Sequence, residues 1–117
     1  MGHVHENVEL IAEKSARVRM LVDTGATFSV IPKTLADAIG VKPRGGRYTV
    51  TLADGRRVRC ASDIVRFRIG KREAPGVILI GSVAEPLLGV ETLEGLGLAV
   101  DPRRGRLIPT RGYTIRL

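Results

Sequence analysis

Asp23-Thr24-Gly25 lies between two apolar runs, in the stretch Leu21-Val22-Asp23-Thr24-Gly25-Ala26-Thr27-Phe28-Ser29-Val30-Ile31-Pro32. A lone carboxylate driven to the end of a buried strand is costly to desolvate. Three readings compete for Asp23. The first is a plain turn, because Asp and Gly form turns in many settings. A surface turn, however, needs neither Leu21-Val22 before it nor Phe28 to Ile31 after it. The second is a metal ligand, which requires further oxygen or imidazole partners, and no Asp or Glu cluster stands nearby. The third is a catalytic carboxylate. Here Gly25 lets backbone approach closely, Thr24 supplies a hydroxyl that ties the turn, and the apolar flanks hold the carboxylate in a partly dry site.

One such carboxylate is a poor general base at neutral pH. Two in contact behave differently, because neighbouring like charges do not both ionise easily. One keeps its proton and acts as an acid while the other activates water. The chain has a single Asp-Thr-Gly and, at 117 residues, half the length that a two-site monomer needs. The second carboxylate must then come from a second copy of the chain, so that a proton shared across a two-fold axis relieves the burial of Asp23.

The elements that position this loop follow from pattern. Val4, Val8, Leu10 and Ile11 suggest a first strand, Glu13-Lys14-Ser15 a turn, and Ala16 to Val22 a second strand with Val18, Met20 and Val22 on one face. Phe28 to Ile31 reads as a short strand. Pro32 opens a helix at its first turn, with Leu35, Ala36 and Ile39 as the buried stripe and Gly40 as the stop. Tyr48 to Leu52 and Arg56 to Cys60 form a hairpin around Ala53-Asp54-Gly55, since Asp-Gly between β-rich runs is a strong hairpin signal. Ile64 to Ile69 is a further strand, Gly70 to Glu73 a turn, and Val77 to Ile80 a strand apolar on both faces, closed by Gly81. Pro86-Leu87-Leu88-Gly89 precedes a short helix, Val90 to Leu96, ended by Gly97. Leu98 to Val100 and Arg106 to Ile108 pair across the turn Asp101 to Gly105. Many short strands with one or two short helices predict a mainly β domain, a closed or partly open β-barrel.

Composition narrows the function classes. The length suits one domain over residues 1–117, with a core over roughly 4–110 and a tail at 111–117. Apolar residues make up 44% but aromatics only 3%, so the core is aliphatic. The net charge of +7 invites a nucleic-acid or acidic-membrane reading. The arginines form no block longer than two and almost no aromatic is available for base stacking, so no nucleic-acid partner is expected. Cys60 stands alone, which excludes an intrachain disulfide, and is expected to sit quietly in a strand. His3 and His5 alternate along a strand and are read as exposed strand residues rather than metal ligands, so no metal or cofactor is expected. No segment approaches the apolar length of a membrane helix and the N-terminus lacks a signal-peptide core, which predicts a soluble, cytoplasmic chain with no membrane partner.

From roughly Ala16 to Val100 the sequence resembles the retropepsin-like aspartic proteases, single-lobe homodimers of the retroviral protease type. Leu21-Val22-Asp23-Thr24-Gly25-Ala26 matches the family's active-site motif. Leu87-Leu88-Gly89 before Glu91 to Leu96 matches its apolar-apolar-Gly motif ahead of a short C-terminal helix. The hairpin lies between them, where the family has a flap. The resemblance implies a homodimer that hydrolyses peptide bonds, with Asp23 catalytic, Thr24, Gly25 and Ala26 forming the active-site loop, and Ala53, Asp54 and Gly55 covering substrate. It also implies Ile80 and Leu87 as pocket residues and Leu88 and Gly89 as support beneath the loop. This chain departs from the retroviral pattern in three places. The flap tip keeps only Gly55, Thr27 and Phe28 replace acidic residues, and Val90 replaces an arginine. Its tail, Pro102 to Leu117, runs past the family's usual end, where a different dimer sheet is expected. The competing reading is the same fold used as a dimeric peptide-binding module with little or no turnover.

Overall fold

The computed structural model describes residues 3–51 and 54–112. Its elements are β1 (His5–Ile11), β2 (Ser15–Val22), β3 (Ser29–Ile31), α1 (Lys33–Ile39), β4 (Arg47–Thr51), β5 (Arg57–Ile69), β6 (Arg72–Ile80), β7 (Leu87–Leu88), α2 (Val90–Leu96), β8 (Leu98–Asp101) and β9 (Arg106–Pro109). The fold is mainly β, as the sequence predicts. Of the residues expected to matter, Ala53 and the tail beyond Gly112 lie outside the described residues.

Hydrogen bonding runs in the order β1-β2-β7-β3-β6-β5, and β1 then pairs with β5, so these strands close a ring. β4 hangs on the outside of β5, and β8 and β9 form a separate two-stranded sheet. The ring follows from alternation. In β1 and β2, Val8 lies opposite Val18, and the inward residues Val8, Leu10 and Met20 are fully buried. Leu10 also faces Phe67 across the closing seam, where Glu9 and Arg68 form an ion pair on the outside. Ile31, Val65, Ile78, Leu88, Leu93 and Leu96 complete an aliphatic core in which Phe67 is the one buried aromatic among the described residues.

Three boundaries differ from expectation. The runs 56–60 and 64–69 are one continuous 13-residue strand, β5. Ser62 and Asp63 look like a break in sequence, but their polar groups are satisfied by the preceding loop. Ser62 Oγ donates to the Gly46 carbonyl at 2.9 Å, and Asp63 accepts from Lys42 N–H and the Arg44 guanidinium. Ile64 consequently shares the outer face with Arg66 and Arg68 and is 64% exposed. β6 begins at Arg72, five residues before the apolar run, despite Pro75. The proline is tolerated because this half of β6 pairs only with β5, and β3 joins at Ile78. Pro32 is extended and caps α1 rather than forming its first turn. Ala36 and Ile39 are buried, while Leu35 is only partly so.

α2 matters most for the site, and both its ends are held. Arg72 donates to the carbonyls of Leu96 and Gly97 at 3.0 and 3.3 Å, and Arg111 donates to that of Gly95 at 3.0 Å. These guanidiniums satisfy carbonyls that a helix C-terminus leaves free. The described part of the tail therefore folds back on its own chain, with Thr110 N–H donating to Gly97.

Candidate active site

β2 delivers Asp23. Leu21 and Val22 pair in parallel with Leu87 and Leu88 of β7, and the ladder continues one step further, where Asp23 N–H donates to the Leu88 carbonyl at 3.0 Å. The chain then turns, with Ala26 N–H bonded to the Asp23 carbonyl at 3.1 Å. Gly25 N–H donates to Asp23 Oδ1 at 3.0 Å, so one carboxylate oxygen is oriented by backbone. Asp23 is partly buried, while Thr24 and Gly25 are exposed. The carboxylate thus sits at the mouth of the core rather than inside it, which lowers the desolvation cost posed by its apolar flanks.

The other side of the loop is fixed to the start of α2. Val90 and Glu91 N–H groups donate to the carbonyls of Ala26 and Thr27 at 2.9 and 3.0 Å. Gly89 N–H donates to Ser29 Oγ at 3.0 Å, and Ser29 Oγ shares a 2.6 Å hydrogen bond with Thr92 Oγ1. The N–H groups of Gly89, Val90 and Glu91 are donors that a helix N-terminus leaves without intrahelical partners; loop carbonyls satisfy the last two and the Ser29 hydroxyl the first. A side chain at position 89 would place its Cβ 2.5 Å from the Phe28 carbonyl carbon, so only glycine permits this approach. Leu88 is fully buried beside it.

Above this floor lies an open cleft of about 1260 Å³. Asp23, Gly25 and Ala26 line one side. Val30, Leu79, Ile80 and Leu87 form an apolar base, and both arms of the β4–β5 hairpin form the far wall through Tyr48 to Thr51 and Arg56 to Cys60 without Arg57. Phe28 and Tyr48 join loop to hairpin by a tilted ring contact at 5.3 Å. The expected pocket residues Ile80 and Leu87 therefore share a cleft with Asp23. Leu88 and Gly89 sit behind it, against the loop.

A family model for aspartyl proteases matches residues 8–92, a span that runs from the first strand through the Asp23-Thr24-Gly25 loop and the hairpin to the start of α2. The chain belongs to this aspartyl protease family, of the retropepsin-like clan. Membership supports a protease acting on peptides at the level of the family. No curated protein matches the chain as a relative.

Asp54 and Gly55, at the hairpin tip, are not among the residues that line the cleft, whereas residues of both arms are. Asp54 accepts from Arg56 N–H at 3.0 Å and from Arg56 Nε at 2.7 Å, and these bonds hold its carboxyl below the usual carboxylate range. Ser29, Thr92, Lys33, Arg56 and Arg59 were not singled out in the sequence. Nothing local marks a serine and a threonine 63 positions apart as partners. Cys60 is buried in β5 and faces the cleft. His5 is not an exposed strand residue: it is partly buried, and its Nε2 lies 2.7 Å from Glu85 Oε1. Among the described residues no cluster of His, Cys, Asp or Glu could hold a metal, and no helix is long and apolar enough to cross a membrane.

Proposed function

We propose that this chain is an aspartic endopeptidase whose active form is a homodimer, with one Asp23 carboxylate from each protomer. The observation that carries the proposal is that Asp23 is the one carboxylate lining a peptide-sized cleft among the described residues. It stands on a loop exposed at Thr24 and Gly25, and among the described residues no second carboxylate of the same chain lines the cleft to complete the pair.

In the dimer one Asp23 is ionised and its mate keeps a proton. The ionised carboxylate takes a proton from a water held between the two, and that water attacks the scissile carbonyl. The protonated carboxyl donates to the carbonyl oxygen as it becomes tetrahedral. Collapse of that intermediate breaks the C–N bond as the leaving nitrogen receives a proton from the pair. No covalent enzyme intermediate is needed. Gly25 N–H is occupied by Asp23, so the carbonyl of Gly25 is the group left to accept from substrate backbone. Thr24, exposed beside it, braces the two loops across the dimer axis. The β4–β5 hairpin covers the peptide, and Ile80 and Leu87 receive its apolar side chains.

The test is peptide-library cleavage by wild type and Asp23→Asn at several pH values. The substitution keeps size and removes ionisation, so cleavage should drop to background while folding survives. Wild-type rates in the mutant would sink the assignment. Binding without turnover in wild type would favour a peptide-binding module.

A further inference from the structure

Alternation gives the β4–β5 hairpin two unlike faces. Tyr48, Val50, Val58 and Cys60 point toward the cleft, while Arg47, Thr49 and Thr51 of β4 and Arg57, Arg59 and Ala61 of β5 point away from it. The register sets three cross-strand pairs on that outer face, Thr51 with Arg57, Thr49 with Arg59 and Arg47 with Ala61, and each pair holds one arginine. Successive pairs stand about 7 Å apart along the ribbon. All three arginines are exposed, and none has an ion pair or hydrogen bond from its side chain to another described residue. Each faces threonine or alanine across the strands rather than an acid. The outside of the ring differs, since Arg66 is paired with Glu73 and Arg68 with Glu9. Asp54, the one acid of the hairpin tip, is taken by Arg56. The chain's own packing thus makes no use of these three charges.

We propose that this outer face docks an extended acidic segment of a protein partner, with Arg57, Arg59 and Arg47 each taking a carboxylate from alternate residues of that segment. The spacing carries the argument. Alternate side chains of an extended chain point one way and recur every ~7 Å, so carboxylates at i, i+2 and i+4 meet the three guanidiniums in step. An arginine fork suits a carboxylate because two parallel N–H groups meet two oxygens. Thr49 and Thr51 set hydroxyls beside the row as further donors. A nucleic-acid strand fits less well, because this face has no aromatic to stack a base and Tyr48 projects from the other side. An anionic membrane fits less well, because the face has no large apolar side chain to enter it. The row lies on the back of the wall that encloses the cleft. Under the proposed function the partner is therefore a substrate protein, held by an acidic stretch outside the residues being cleaved. That role rests on the proposed peptide cleft, whereas the docking itself does not.

The docking test uses the Asp23→Asn protein and fluorescent Ser-rich peptides without apolar residues, read by anisotropy at low and high salt. One peptide carries three Glu at alternate positions, one carries three adjacent Glu, and one carries Gln at the alternate positions. The alternating Glu peptide should bind about threefold more tightly than the adjacent one and about tenfold more tightly than the Gln one at low salt, and the spread should collapse when salt shortens the screening length. Arg47→Gln, Arg57→Gln and Arg59→Gln together should abolish the preference. Arg17→Gln, Arg19→Gln and Arg106→Gln together, the same charge change at exposed positions of β2 and β9, should preserve it. Thermal melting controls for folding of both triple variants, and Arg59→Gln alone should weaken the alternating peptide about twofold. No preference for Glu over Gln, equal binding of the alternating and adjacent peptides, or an equal loss in the two triple variants would overturn the proposal. Tighter binding of a single-stranded oligonucleotide of matched charge would also overturn it. Cleavage by chains that keep Asp23 is measured separately, on an apolar-centred peptide with and without the alternating Glu segment on a flexible linker. The segment should lower KM about fivefold in wild type and leave it unchanged in the variant lacking Arg47, Arg57 and Arg59. Docking with no cleavage of either peptide sinks the protease mechanism and leaves the docking face standing, whereas cleavage that ignores the segment overturns the proposal.

Discussion

Ser29 Oγ and Thr92 Oγ1 lie 2.6 Å apart with both side chains buried, and the same serine oxygen accepts Gly89 N–H. This contact ties the loop after Asp23 to the first turn of α2. Ser29→Ala strands the Gly89 N–H and the Thr92 hydroxyl in a site that water does not reach. The expected cost is about 1–3 kcal/mol. Thr92→Val keeps the shape and leaves Ser29 its bond to Gly89, so it should cost less. Urea denaturation of both variants checks the order. Equal stability of Ser29→Ala and wild type would show that the contact is incidental.

Gly89→Ala tests the same brace from the backbone side. Its Cβ would meet the Phe28 carbonyl carbon at 2.5 Å and the oxygen at 2.6 Å, neither of which is the movable end of a side chain. Either the loop or α2 must shift. Gly46→Ala is a useful contrast, since its Cβ would meet nothing within 4 Å and only backbone conformation is strained. Gly89→Ala should be the more damaging to both stability and cleavage, measured by thermal melting and by kcat/KM on one peptide.

Much of this arrangement was legible in the residues. Turn chemistry located the hairpin at Asp54-Gly55 and the β8–β9 pair, and glycine stops fixed both helices at Gly40 and Gly97. Asp23, Ile80 and Leu87, chosen from motif and pattern, do line one cleft. What was illegible depends on pairing between distant segments. The continuity of β5 through Ser62 and Asp63 rests on partners at Gly46, Lys42 and Arg44. The seam between Leu10 and Phe67, like the Ser29–Thr92 contact, joins positions that no local pattern relates.

Gly55 has φ of 86° and would meet nothing within 4 Å if given a Cβ. Gly55→Val therefore strains the hairpin tip without disturbing packing, because a β-branched residue resists that backbone region. Overall stability should change little. KM for peptide should rise as the hairpin arms lose their register over the cleft. A fully active variant would show that the tip geometry does not govern closure.

Asp54 gives the hairpin a pH dependence with a definite sign. Arg56 N–H, and then the Arg56 guanidinium, stabilise its charged form and hold its pKa down. A depressed carboxyl contributes order that is fully present above its unfolded pKa and is lost as pH falls through the lower folded value. The tip should stay tied across the mildly acidic range in which a proton-sharing carboxylate pair works. Asp54→Asn should raise KM about twofold there, in keeping with one exposed ion pair. The gap between variant and wild type should close on further acidification, where Asp54 itself becomes neutral. A gap that widens as pH falls contradicts this account of the tip.

The dimeric mechanism makes the strongest demand on solution behaviour. Each chain offers one Asp23, so proton sharing requires two chains. The rate should rise and then fall with pH, with its optimum on the acidic side of neutral. Specific activity should fall on dilution below the dimer constant, because separated protomers each keep one carboxylate. Mixing wild type with excess Asp23→Asn should depress activity by more than dilution does, since most wild-type chains then sit in heterodimers with a single ionisable Asp23. The mutant protein retains the loop and its brace to α2, so it remains competent to form those heterodimers. A dilution series, the mixing experiment and sedimentation on the same samples decide the matter together. Constant specific activity from a monomer at every concentration, with no poisoning by the mutant, would remove the shared proton and with it the mechanism.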